Sequence, residues 1–148
     1  MSDLDILRTL NRMERVIDRL KAFDIPAGSA PASSTSQAIF TISGNLSVLA
    51  GTLRIYNQLG RTVTISEVFL SANTAPLTSA IIADVHKGGT TIFTNQANRP
   101  QIAASANTGN TTTIDVPSWA DGEYLTVDID QIGTGTVGAD FTAHIIYS

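Results

Sequence analysis

The sequence has no cysteine, and only 6% of its residues are aromatic and 15% are charged. The absence of cysteine excludes disulfide bonds, thiolate metal sites and cysteine nucleophiles. The low charge content, set beside 43% apolar residues, argues against disorder over the whole length, because disordered chains are rich in charge and poor in β-branched residues. The 148 residues suit one domain of ordinary size with an appendage.

Positive charge is also scarce: the chain has nine Lys and Arg residues and thirteen Asp and Glu residues, which gives a net charge of −4. This balance argues against binding to nucleic acid or anionic lipid, which usually requires a basic face. No apolar run approaches the length of a transmembrane helix. Residues 1–5 form neither a basic nor a long apolar segment, so we expect no signal peptide and assembly in a cytoplasm.

Residues 1–24 predict an N-terminal α-helix that oligomerises or anchors the protein. Ser2 and Asp5 resemble a capping box with Asp in place of the usual Glu, and no proline follows until Pro26. The apolar residues recur at alternating spacings of four and three, as in a coiled-coil seam: Ile6, Leu10, Met13, Ile17 and Leu20.

A second apolar row, Leu7, Val16 and Phe23, flanks this seam. The stripe is therefore wider than a two-stranded seam, which favours a homotrimer or docking on another protein. A helix of about three heptads is marginal alone, because isolated helices shorter than roughly 12–15 residues barely hold together in water. The arginines of the helix share another face, which we interpret as solvated, with docking on an acidic partner as the alternative.

The remaining chain divides into a linker and a β domain. Residues 25–37 are small, polar and twice interrupted by proline, which predicts a flexible linker. Residues 38–148 are rich in Thr, Val, Ile, Asn and Gly, with turn residues at roughly 8-to-12-residue spacing. The predicted fold is mainly β: an antiparallel β-sandwich of jelly-roll type preceded by one helix that forms a coiled coil or docks.

Eight strands are predicted in this domain: Ala38–Ser43, Thr52–Gln58, Thr62–Asn73, Ala80–Lys87, Thr90–Thr94, Thr111–Val116, Glu123–Ile132 and Ala139–Tyr147. A hairpin turn is expected at Lys87–Thr90, where two glycines separate two strands. A shift in the phase of alternation in the third strand predicts a β-bulge near Ser66. In Glu123–Ile132, one set of alternating residues points to the core and the other, Thr126, Asp128 and Asp130, to water.

Motifs for catalysis are lacking in this sequence. His86 and His144 lie on separate predicted strands, and no nucleophile elbow, phosphate loop or zinc-protease motif is present. Asp128 and Asp130 share one strand face and are weak candidates for acid–base chemistry or for binding a cation such as Ca²⁺. We favour the other interpretation, an acidic solvent face. No cofactor is predicted.

Three residues are candidates for binding a glycan. Trp119 lies in a turn between predicted strands, where it either stacks on a sugar or folds back as a plug over the sandwich, the plug being slightly favoured. Asn98 and Arg99 lie in a polar loop and offer an amide and a guanidinium to a glycan. The favoured alternative for this pair is that they satisfy carbonyl groups of their own loop.

Two stretches, 83–100 and 122–133, resemble a module found in structural proteins of tailed bacteriophages. The first contains the hairpin and an Asn-Arg-Pro loop, and the second reads Gly-Glu-Tyr-Leu-Thr-Val-Asp-Ile-Asp-Gln-Ile-Gly. The resemblance covers about residues 40–147 and leaves out the helix and the linker. Lys87-Gly88-Gly89 stands where the module has a Lys-Asn-Gly-like turn. The resemblance implies a β-sandwich and a place on a phage particle, and it transfers no catalytic residue.

We therefore expect a virion structural protein. The first hypothesis is a trimeric tail-fibre-type appendage, anchored to other virion proteins by its helix and active in host attachment. The second is a capsid decoration, or cement, protein. The third is a carbohydrate-binding module for host-surface glycan, with Trp119, Asn98 and Arg99 in its site. An enzyme comes fourth, because a depolymerase usually needs a larger domain with paired acids in a cleft.

Overall fold

The computed structural model describes residues 2–21 and 34–148, together with the side chains of 2–18 and 34–148. The chain forms two compact units, Met1–Ser34 and Thr35–Ser148. The last residues of the predicted helix, 22–24, and most of the predicted linker, 25–33, lie outside the described residues. Within the described part, no helix is long and apolar enough to cross a membrane.

The first unit contains helix α1, Asp3–Lys21. The Asp5 carboxylate accepts hydrogen bonds from the Ser2 hydroxyl at 2.8 Å and from the Ser2 N–H at 3.4 Å. The bond from the Ser2 N–H to the acidic side chain three residues later is one of the two hydrogen bonds of the predicted capping box. Asp3 and Asp5 also place negative charge in the first turn, where the helix dipole favours it.

The second unit contains ten described strands: β1 Ser36–Asn45, β2 Ile55–Tyr56, β3 Val63–Thr74, β4 Ile81–Lys87, β5 Thr90–Thr91, β6 Gln101–Ile102, β7 Thr108–Thr111, β8 Ser118–Trp119, β9 Tyr124–Gln131 and β10 Ala139–Tyr147. The first sheet has the order β1-β10-β3-β7, with β8 also on β3. The second has the order β2-β9-β4-β5, with β6 also on β4. All of these pairs are antiparallel.

This strand order confirms the predicted sandwich of jelly-roll type. The strands β1 to β4 alternate between the two sheets, and the chain ends with β9 in the second sheet and β10 beside β1 in the first. Such winding of two sheets by one antiparallel ribbon is the jelly roll. The inward side chains of both sheets form one buried core, with Trp119, Phe93 and Phe141 its largest members.

Two local predictions for the sheets are confirmed. Opposite β10, Ile146 pairs with Glu67 and Tyr147 pairs with Ile65, so Ser66 is the extra residue of a β-bulge. At the hairpin, β4 and β5 are joined by Gly88 and Gly89 with φ of +57° and +87°. A two-residue loop with both residues at positive φ is a type I′ turn, and glycine adopts it without strain.

Several strand boundaries were wrong. Strand β1 begins at Ser36, so the last two residues of the predicted linker belong to the sheet. The predicted strand Thr111–Val116 is displaced, because β7 covers 108–111 and ends where that strand was expected to start. Gly109 explains the difference, since any side chain there would overlap the Gln101 carbonyl. The backbone of β7 thus approaches its neighbour at a position that looks like a turn in sequence.

The predicted water-facing side of β9 is also partly wrong. Thr126 is only 8% exposed, and the Asp128 side chain is partly buried. Residues around Gly51 cover this side, because the Gly51 N–H donates to Asp128 Oδ1 at 2.7 Å. Glycine is required there, since a Cβ would overlap the Val127 carbonyl. The outer side of the second sheet is therefore partly enclosed.

Candidate functional site

Trp119 does not form a glycan-binding surface. Its side chain is 1% exposed, and its indole Nε1 donates to the Glu123 carbonyl at 3.0 Å. The ring packs edge-on against Tyr147 with 5.2 Å between centroids. A ring without an exposed face cannot stack on a sugar, so the binding hypothesis for Trp119 was wrong and the plug interpretation describes its position.

A buried asparagine holds this plug in place. The Asn57 side-chain amide donates to the carbonyls of Trp119 and Arg61, both at 2.9 Å. Its Oδ1 accepts the Leu59 N–H at 3.0 Å. Asn57 thereby joins two turns that the sequence presents as separate, and this end of the sandwich is fixed by buried polar contacts.

Asn98 and Arg99 have partners within the domain. Asn98 donates from Nδ2 to Asp115 Oδ1 at 2.8 Å. Arg99 forms an ion pair with Asp130 and donates from Nε to the Gln96 carbonyl at 3.0 Å. Of these partners only the Gln96 carbonyl belongs to their own loop, so the expected bond to a loop carbonyl is present for Arg99, whereas Asn98 bonds to a carboxylate in the segment between β7 and β8.

Asp115 anchors that loop. Its carboxylate accepts the Asn95 N–H at 2.7 Å as well as the Asn98 amide. These bonds, the one from the Asn95 backbone first, lower the pKa of Asp115 below its ordinary value. By accepting hydrogen bonds from two residues of the loop, the carboxylate stabilises the loop conformation, and the same bonds favour its charged form.

Asp128 and Asp130 point to different partners rather than to a shared site. Asp130 falls at an irregularity in the β4–β9 register, where Ile129 pairs with Ala83 but Gln131 pairs with Ile82. It faces Arg99, whereas Asp128 faces Gly51 and His86. Among the residues that the structure describes, no group of three or more His, Asp or Glu side chains is arranged to hold a metal ion.

An open pocket of about 400 Å³ lies over the outer side of the second sheet. Three elements build it: residues 50–54, the end of the β4–β5 hairpin, and the outward face of β9. Its side chains carry one guanidinium, one imidazole, one carboxylate and three hydroxyls, contributed by Arg54, His86, Asp128, Thr52, Tyr124 and Thr126. The volume is within the range of small-molecule sites, ~300–1,000 Å³.

The polar floor of the pocket follows from strand register. His86 on β4 pairs with Thr126 on β9, and two residues away Asp84 pairs with Asp128. His86 Nδ1 lies 3.4 Å from Asp128 Oδ2. This nitrogen is buried and has no well-aligned hydrogen bond to any described residue. The floor therefore holds an imidazole and a carboxylate side by side, with hydrogen-bonding capacity left over.

One wall of the pocket is aromatic and cationic. The Arg54 guanidinium carbon lies 4.5 Å from the centre of the Tyr124 ring. Tyr124 in turn packs at 5.5 Å and 56° against Tyr56. Among the described residues Arg54 has no carboxylate partner in a salt bridge, and its guanidinium lies over the face of the tyrosine ring.

Sequence reasoning did not bring these residues together. The alternation of β9 places Tyr124, Thr126 and Asp128 on one face, and this signal was readable. His86 and Thr126 are 40 positions apart (126 − 86) and meet only through the β4–β9 pairing. Arg54 lies in the predicted strand Thr52–Gln58, but only Ile55–Tyr56 of that stretch forms a strand.

A second candidate site is the apolar stripe of α1. The described seam residues are between 45% and 58% exposed: Ile6, Leu10, Met13 and Ile17. Leu7 and Val16, of the flanking row, are as exposed. The side chains of Leu20 and Phe23 lie outside the described residues.

No protein-family model matches this chain, and no curated protein matches it significantly.

Proposed function

We propose that this protein is a structural component of a bacteriophage virion, a tail-fibre-type surface appendage in which three chains assemble through α1. Each chain then presents one jelly-roll domain outward. The resemblance of the hairpin and β9 to a phage module supports the virion setting. Jelly rolls occur in viral capsid proteins and lectins, but one fold serves many functions, so the fold alone does not define the role.

The exposed apolar stripe of α1 is the main support for assembly through this helix. Nineteen residues form this helix, only slightly more than the roughly 12–15 below which isolated helices are marginal in water. Burying one large aliphatic side chain contributes about 1.5–3 kcal/mol. Four described seam residues per chain, all half-exposed in the single helix, supply ample driving force for association.

The width and polarity of the helix favour three copies. Leu7 and Val16 flank the seam on opposite sides and would remain exposed in a narrow two-stranded contact. Arg8, Arg12 and Arg15 lie away from the seam, because their spacing is offset from it. A trimer buries the wider apolar arc of each helix and leaves these arginines in water.

Imaging of phage particles tests the virion setting. Mass spectrometry of purified particles should detect this chain, and cryo-electron microscopy with a labelled domain should place it on the tail or its fibres. Label on a regular lattice over the head would replace the tail-fibre proposal by a capsid decoration role. Absence of the chain from infectious particles would contradict both.

A further inference from the structure

We propose that the pocket between residues 50–54 and the outer face of β9 binds an acidic saccharide, a sugar that carries a carboxylate. The proposal goes beyond the virion role and does not depend on helix association. It rests on two features of the pocket: hydroxyl-binding groups on the floor, and on the wall one guanidinium without a salt-bridge partner among the described residues.

The floor suits the hydroxyl groups of a sugar. Each hydroxyl both donates and accepts, so its best partners are a carboxylate beside a donor. Asp128 uses Oδ1 for the Gly51 N–H, and a carboxylate has about four acceptor sites, so acceptor capacity remains. His86 lies beside it on the neighbouring strand, and Thr126, two residues earlier on β9, also lines the pocket.

The wall suits a carboxylate. A guanidinium binds a carboxylate through two parallel hydrogen bonds. Arg54 lies over the Tyr124 ring at 4.5 Å, and this contact reduces the number of conformations that binding would have to freeze. Tyr124 itself lines the pocket and offers an aromatic ring to the C–H groups of a sugar.

The hairpin turn contributes Gly89 to the mouth of the pocket. Gly89 adopts φ +87°, and the first atom that a Cβ there would meet is the Tyr124 hydroxyl at 3.9 Å. That distance is an ordinary van der Waals contact, so glycine is favoured at this position by its backbone conformation.

Calorimetry on the full-length protein tests the proposal with two matched probes. The first is an oligosaccharide of alternating glucuronic acid and glucose, and the second is the same oligosaccharide with its carboxylates reduced to hydroxymethyl groups. We expect binding of the acidic probe and at least tenfold weaker binding of the reduced one. Arg54→Gln should weaken the acidic probe to the same extent, whereas Arg61→Gln, outside the pocket, should leave it unchanged.

The two histidines of the chain report where on the domain the probe binds. The imidazole signals of His86 should shift in NMR spectra on titration with the acidic probe, while those of His144, on β10 of the other sheet, should stay. Lack of binding, equal binding of both probes, unchanged affinity in Arg54→Gln, or shifts at His144 alone would overturn the proposal. Displacement by an equal concentration of a glutamate oligopeptide would overturn the saccharide assignment. None of these outcomes affects the oligomeric state, so failure here is distinguishable from failure of the trimer.

Discussion

Asp84 and Asp128 lie directly opposite each other on β4 and β9. Like charges at such a position destabilise a sheet. The side chain of Asp84 is buried, and this burial raises the pKa of Asp84 above its ordinary value of 3.8. The Thr91 hydroxyl, which donates to Asp84 Oδ1 at 2.7 Å, opposes the rise without cancelling it.

The substitution Asp84→Asn should therefore stabilise the domain in a pH-dependent way. A carboxyl with a raised pKa in the folded state contributes stability that is present below its ordinary pKa and is lost as pH rises through the raised value. Wild type should lose stability relative to Asp84→Asn between about pH 4 and about pH 7. Urea unfolding at both pH values measures this, with Asp18→Asn on α1 as the control. A stability difference that is the same at both pH values would refute the account of Asp84.

Removing the amide of Asn57 should destabilise the end of the sandwich that holds Trp119. Asn57→Ala leaves buried carbonyls without donors, and each unsatisfied buried group costs about 1–3 kcal/mol. The exposed Asn110, which bonds only to the Glu67 side chain among the contacts described, gives the control Asn110→Ala. Denaturant unfolding should show a loss of ~2 kcal/mol or more for Asn57→Ala and little for the control. Equal losses would mean that Asn57 is not the link between the two turns.

Trp119→Ala should act on stability rather than on glycan binding. Replacing a buried tryptophan by alanine costs about 3–5 kcal/mol, whereas truncating an exposed binding residue leaves folding nearly unchanged. Thermal unfolding followed by circular dichroism measures the effect, with Tyr56→Ala as an exposed aromatic control. A near-native melting temperature for Trp119→Ala would restore the binding hypothesis for this residue.

Features set by neighbouring residues were predictable from the sequence. A few adjacent positions were enough to predict three of them: the capping pair Ser2 and Asp5, the bulge at Ser66 and the turn at Gly88. The two-sheet architecture also followed, because alternation and turn spacing extend over the whole domain.

Features set by distant pairing were not predictable. Trp119 occupies a segment that looks like an exposed turn, and only its pairing with Val63 on β3 makes it core. The pocket depends on β4–β9 register and on the close approach of Gly51 to β9, which no local pattern encodes. The side of β9 expected to face water was partly buried for the same reason.

The oligomeric state of full-length protein tests the central claim, assembly through α1, most directly. Multi-angle light scattering should give three times the 15.6 kDa chain mass for wild type. The double substitution Leu10→Asp with Ile17→Asp should give the monomer, since each change buries a charge in the seam. The matched control, Arg8→Asp with Arg15→Asp on the other face, should stay trimeric. A monomeric wild type, or a trimer that survives the seam substitutions, would contradict the account.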